Sequence, residues 1–226
     1  MRKLFFIMIF IFLVNCVLAQ EEVTRYFDKD QLGIELLSVQ WLTPPEGVEV
    51  EPYTNAFNLQ YMVTLAGKNS NVALALGAGL LTENYHLNAL PVKESNELVF
   101  VPIDEAIHYR RNKIRLLTLE LPLELRIRTE KNSRNKHWKM YLGGKVGYKV
   151  QSMHKYIGDN PEFPEDNLKQ KTYNLRYTEP LSYGVTARLG YGQFFISGYY
   201  SFTNQFQKDK GPELIPFMVG ISLFLY

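Results

Sequence analysis

The chain has 226 residues, 46% of them hydrophobic and 14% aromatic, with a formal net charge of +2. That length suits one domain, and this apolar content excludes wholesale disorder. The near-balance of charge excludes a strongly basic nucleic-acid binder.

At the start of the chain, Arg2 and Lys3 precede an apolar run from Leu4 to Val14, followed by Cys16 and the small residue Ala19. A basic start, a short apolar core and a small residue predict a secretory signal peptide over residues 1–19, cleaved before Gln20. An uncleaved anchor would need roughly 20 apolar residues, and this run has 11. Leu13-Val14-Asn15-Cys16 also loosely matches a lipoprotein processing site, with Asn15 standing where a small residue is expected. Cys16 is the one cysteine of the chain. Residues 20–226 therefore hold no disulfide, thiolate metal site or cysteine nucleophile.

From residue 20 onward the recurring signal is apolar alternation with period two, the mark of strands with one apolar face. In chain order it predicts strands over about 31–43, 57–65, 72–80, 117–128, 138–150, 183–191, 194–206 and 217–225. The phase of the first is ambiguous, because the apolar positions shift at Leu36-Leu37. The seventh is aromatic on both faces. The fourth is the clearest: Leu117, Leu119, Leu121, Leu123, Leu125 and Ile127 fall on one side of a strand but would scatter around a helix. Within it Pro122 cannot donate to a ladder, which predicts an edge or a bulge there.

Connections alternate in length. Short polar turns lie at 67–71, 130–136 and 190–193, and long links at 44–54, about 87–112, 151–171 and 205–213. An up-and-down barrel would then have all its long loops at one end and all its short turns at the other, the arrangement of outer-membrane barrels. The polar faces carry small residues (Gly77, Gly79, Gly143, Gly147, Gly184 and Gly190) beside Glu120, Glu124, Arg126 and Arg128. Such a mixture suits a narrow lumen filled by side chains better than a wet exterior. The expected fold is all-β, a single eight-stranded antiparallel up-and-down transmembrane β-barrel over residues 20–226, located in the cell outer membrane.

Leu119-Glu120-Leu121-Pro122-Leu123-Glu124-Leu125-Arg126, Leu142-Gly143-Gly144-Lys145-Val146-Gly147-Tyr148 and the closing Val219-Gly220-Ile221-Ser222-Leu223 resemble segments of the small PorT-like outer-membrane β-barrel family. The resemblance covers about residues 113–226. It implies an outer-membrane barrel, makes Pro122 a feature of the fold, and links some members to type IX secretion.

Site residues follow from the expected faces. Glu120, Glu124, Arg126, Arg128, Lys145 and Arg188 are predicted to form a charge network in the lumen, since buried charges require partners. Their alternative use is a small pore. Arg110, Arg111, Lys113 and Arg115 form a basic cluster where the second long loop enters the fourth strand, placed to contact lipopolysaccharide phosphates. Trp41, Trp138, Tyr85, Tyr109 and Tyr200 are candidates for interface girdles. His86, His108 and His154 lie in or near the outer loops, with Asp104, Glu105 and Ser152 close in sequence, as an outer-membrane lipid-modifying enzyme would need. No catalytic, phosphate-loop or metal-spacing motif joins them, so the expectation is no enzyme, no cofactor and no metal. The expected partners are outer-membrane lipid and, through the C-terminal strand, the barrel assembly machinery, with no nucleic acid. The function predicted is structural, or interaction through the outer loops, with an accessory role in secretion or envelope assembly as the alternative.

Overall fold

The computed structural model describes residues 30–67, 71–130, 132, 136–161, 163 and 166–225. The expected leader, its cleavage point before Gln20, and Tyr226 lie outside the described residues. Eleven strands run in chain order: β1 (Leu32–Trp41), β2 (Asn55–Ala66), β3 (Val72–His86), β4 (Ala89–Glu94), β5 (Glu97–Pro102), β6 (Tyr109–Arg128), β7 (Trp138–Asp159), β8 (Asn167–Tyr173), β9 (Leu181–Tyr191), β10 (Phe194–Ser201) and β11 (Pro216–Leu225). Eight of them, β1, β2, β3, β6, β7, β9, β10 and β11, pair antiparallel in that order. The ring closes between β11 and β1, where Leu32 meets Leu225 and Trp41 meets Pro216. Closure, without which a sheet cannot stand in lipid, leaves no free sheet edge around the ring.

The two faces are inverted relative to a soluble barrel. Phe194 is 70% exposed and Leu121 62%, whereas Glu124 and Arg126 are 0% exposed inside. On β6 the outward apolar row runs from Leu117 to Ile127, close to the 9–11 residues that a tilted strand needs to cross hydrocarbon. Trp138 and Tyr191 meet at one margin of this belt, their rings tilted by 52° with centroids 5.4 Å apart. The short turns lie at that end. Gly192 holds left-handed backbone at φ +67° between β9 and β10, where Tyr191 pairs with Phe194 across a two-residue turn.

Several staves are longer than the belt, and their polarity reverses along the way. On β1 the outward positions pass from Leu32, Ile34 and Leu36 to Ser38 and Gln40, while the inward ones pass from Gly33 and Glu35 to Leu37, Val39 and Trp41. β3 does the same at Leu80-Leu81 and β6 at Leu116-Leu117. The register of β1 is continuous on both sides. The shift at Leu36-Leu37 is therefore a change of lining, not a slip of the strand.

Pro122 occupies neither an edge nor a bulge. Its pairing with β7 continues through Lys145, and the β3–β6 ladder skips from Leu76–Leu123 to Gly79–Glu120 without a change of register. The missing N–H costs a ladder bond and leaves the stave in place. The strand expected to run from Phe194 to Phe206 ends at Ser201.

The long links hold structure that alternation did not announce. β4 and β5 form a hairpin whose turn residues, Ser95 and Asn96, both have positive φ, the backbone that fits a two-residue turn to strand twist. β8 pairs with the part of β7 beyond Met153 and widens that stave into an arm.

Candidate functional site

The lower lumen is a paired charge network. Lys145 Nζ donates to Glu120 Oε1 at 2.6 Å, Arg126 Nε to Glu124 Oε2 at 3.2 Å, and Arg188 Nε to Glu35 Oε1 at 2.8 Å. Arg188 also bonds Glu124, so one guanidinium joins carboxylates from β1 and β6. Asn58 donates to both Glu35 and Glu120. Nearer the short turns, Asp30 receives Lys139 Nζ at 2.6 Å, the Tyr141 hydroxyl at 2.7 Å and Arg128 at 3.5 Å. Aromatic faces fill the remaining space: the Arg126 guanidinium lies 4.8 Å from the Tyr141 centroid, and Lys145 Nζ 4.1 Å from that of Tyr199. Small residues make this filling fit. A Cβ on Gly190 would stand 2.4 Å from the Phe195 ring.

All six side chains predicted for the network lie in this region. Asp30 and Glu35 were not among them, although they hold the network to β1. Glu35 was hidden by the ambiguous phase of that strand. Asp30 precedes the first stave, and period two says nothing about it.

Above the network the lumen turns apolar. Leu37, Val39, Trp41, Tyr85, Ile114, Leu116 and Met218 pack with Leu98 and Phe100 of the β4–β5 hairpin. Trp41 stacks on Tyr85 with centroids 4.8 Å apart. These two rings are thus buried plug residues rather than girdle residues, whereas Trp138 and Tyr200 face outward. Between network and plug lies a cavity of about 10 Å³ touching Glu83, Thr118, Glu120, Lys149 and Tyr199, space for about one water. Backbone bonds tie the hairpin down: Leu98 N donates to Lys210 O, and Ile103 N to Asn88 O. A recess of about 600 Å³ remains between the hairpin and the β7–β8 arm, lined in part by Leu90, Val92, Val101, Ile103, Tyr156 and Leu168.

The histidines do not assemble a catalytic group. His154 lies on the stretch of β7 beyond the belt, where its Nε2 meets Asn112 Oδ1 at 2.7 Å. Asn112 in turn donates to the carbonyls of Leu87 and Ala89. Burial pulls the His154 imidazole down from 6.5 to about 4, and its partner is an amide, not a carboxylate. His86 faces outward against the Tyr53 ring at 4.8 Å. His108 is exposed, and its backbone N–H bonds Asp159. Asp104 caps its own turn through Ala106 N. Among the described residues no three of His, Cys, Asp and Glu converge as a metal site would require.

The predicted basic cluster divides. Arg111, Lys113 and Arg115 alternate along one face of β6, directly beyond Leu117. Arg110 is set apart by an irregularity between Tyr109 and Arg111 in the pairing with β7. On the same face Lys155 pairs opposite Lys113, and Lys171 of β8 opposite Lys155. These two lysines were not in the predicted cluster, because their loop was expected to lack strands. Desolvation, then Arg111, Arg115 and Lys155, hold the Lys113 ammonium below its ordinary value.

The outer membrane protein beta-barrel domain family matches residues 31–207. Among solved structures, Ail, the attachment invasion locus protein of Yersinia pestis in complex with the heparin analogue sucrose octasulfate, is similar at 10% identity. That match covers 85% of this chain and 96% of the other, with a TM-score of 0.36. No curated protein matches. The closed antiparallel barrel and the family match over most of its length agree: the chain belongs to the outer membrane protein beta-barrel domain family and is a protein of the outer membrane.

Proposed function

We propose that the protein is a closed, non-conducting and non-enzymatic barrel that works by presenting its rigid outer end to other envelope components. One observation carries this reading: the paired charge network and the apolar plug follow each other along the lumen as two filled layers. An eight-stranded interior is only wide enough for its own side chains. Unpairing the buried ions to open a water path would cost several kcal/mol. The purified protein in planar bilayers is expected to give no steady conductance. Stable single-channel steps that persist through repurification would overturn the reading.

A second reading, an accessory role in secretion or envelope assembly, is favoured by the resemblance of the β6 and β7 segments to PorT-like barrels. The apolar recess beside the β4–β5 hairpin supports it as a place for a partner. In-cell crosslinking from Val99 or Val101 on the hairpin separates the two: capture of one defined envelope protein favours the accessory role, and lipid adducts alone favour the first. We further assign recognition by the barrel assembly machinery to β11, the strand that closes onto β1.

A further inference from the structure

Above the belt, β6, β7 and β8 carry a two-dimensional array of cations. Arg111, Lys113 and Arg115 occupy successive outward positions of β6, with Lys155 and Lys171 beside Lys113 in register on the next two strands. Lys169 continues the row opposite Ile157. Like charges directly opposite each other weaken a sheet, so this arrangement is unfavourable for the protein alone. None of the five central cations has an ion pair among the described residues; Lys113 Nζ donates to the neutral Asn84 Oδ1 at 2.7 Å. The outward neighbours are His86 and Asn84 on β3, Met153 and Ile157 on β7, and Tyr173 on β8, none of them acidic. The acids on this side are Glu51, whose backbone N–H bonds His86 O, and Asp159, two positions beyond Ile157 at the far end of β7, whose carboxylate accepts the His108 N–H.

We propose that Arg111, Lys113, Arg115, Lys155 and Lys171 bind the phosphate groups of lipopolysaccharide in the outer leaflet. Height selects a lipid over a soluble anion. Arg115 is the next outward residue after Leu117, where the apolar row ends. Phosphates of the leaflet lie at that boundary between hydrocarbon and water. Met153, Ile157 and Tyr173 alternate with the cations, giving the face the mixed character of a headgroup interface. Arginine supplies bidentate geometry for phosphate, and lysine adds charge. The proposal rests on the long connections facing outward, not on the closed lumen, so the conductance result leaves it standing or falling separately.

The full-length protein, purified in a non-ionic detergent, is titrated with fluorescent lipid A that carries its phosphates and with lipid A stripped of them. Phosphorylated lipid A is expected to bind about tenfold or more tighter, since one cation near an anionic lipid surface contributes roughly fivefold. The variant Arg111→Gln/Lys113→Gln/Arg115→Gln/Lys155→Gln should lose about 600-fold by the same rule. Removing the outlying charges of Lys93 and Lys208 as glutamines should change binding less than about twofold. Heat-modifiable gel mobility checks that each variant is folded. If the fourfold variant does not fold, the two lipids on the unmodified protein still decide. Equal binding of both lipids overturns the proposal, as does an equal loss in the outlying variant. Displacement of lipid A by inorganic phosphate at matching concentration would identify a soluble-anion site and also overturn it.

Discussion

The lower and upper parts of one barrel solve the same packing problem with opposite chemistry. In the lower part the outside is apolar, and Glu35, Glu120, Glu124, Arg126, Lys145 and Arg188 hold the inside. In the upper part Arg111, Lys113 and Arg115 stand outside, and Ile114, Leu116, Trp41 and Tyr85 fill the inside. The difference follows from what surrounds each. Water around the upper part makes an interior of apolar side chains favourable, as in any soluble domain. Lipid around the lower part removes that contrast between inside and outside, so specific polar pairs fix how the staves meet. The lower region thus depends on ion pairing and the upper on burial. Each can be tested alone.

The largest expected effect comes from Arg188, which joins Glu35 of β1 to Glu124 of β6. Arg188→Met keeps an unbranched apolar stem and removes the guanidinium, leaving buried carboxylates short of a partner. Losing one member of a buried pair typically costs about 3–5 kcal/mol. Urea unfolding in detergent, followed by tryptophan fluorescence, measures it. A cost below about 1 kcal/mol would mean the lower lumen is wet enough to screen its ions, and the comparison would fail on that side.

A smaller effect tests where the reversal lies. Leu59 and Asn55 both face outward on β2, one in the belt and one beyond it. Leu59→Arg should destabilise the folded barrel by about 2–4 kcal/mol, the range for a cation near the midplane. Asn55→Arg should fall within about 0.5 kcal/mol of the unmodified protein. Folding titrations into vesicles read both. Equal costs would move the membrane boundary past Asn55.

The same reversal explains what the sequence could and could not disclose. Staves whose alternation lies within the belt, such as β2 and β9, have one apolar phase and can be read directly. β1 has only three belt residues outward before Leu37, Val39 and Trp41 take the apolar role inside, so its two phases look like one broken strand. Reading Leu36-Leu37 as a boundary would have recovered Glu35 and removed Trp41 from the girdle. The charge network was legible because glutamates and arginines alternating with leucines have few other uses in a barrel. The outer arm was not. β8, Asn167–Tyr173, is polar on both faces, and its strand form comes from pairing with β7, which no local pattern reveals.

The smallest expected effect concerns pH in the upper region. His154 is buried beside Asn112, which ties the base of the β4–β5 hairpin through the carbonyls of Leu87 and Ala89. Its imidazole sits near 4 in the fold, below the ordinary 6.5, because burial disfavours the charged form. As pH falls from about 6.5 to about 4, the unfolded chain takes up a proton that the folded one refuses, so stability falls through that window and levels below it. Above about 6.5 both states are neutral and the contribution is fully present. His154→Gln retains an N–H for Asn112 Oδ1 and cannot titrate. The unmodified protein should therefore lose more stability than this variant between pH 7 and 4, on the order of 1 kcal/mol or more. Carboxylates common to both proteins cancel in the difference. Parallel pH profiles would show that water reaches His154, and that the upper lumen is not the dry core that distinguishes it from the lower.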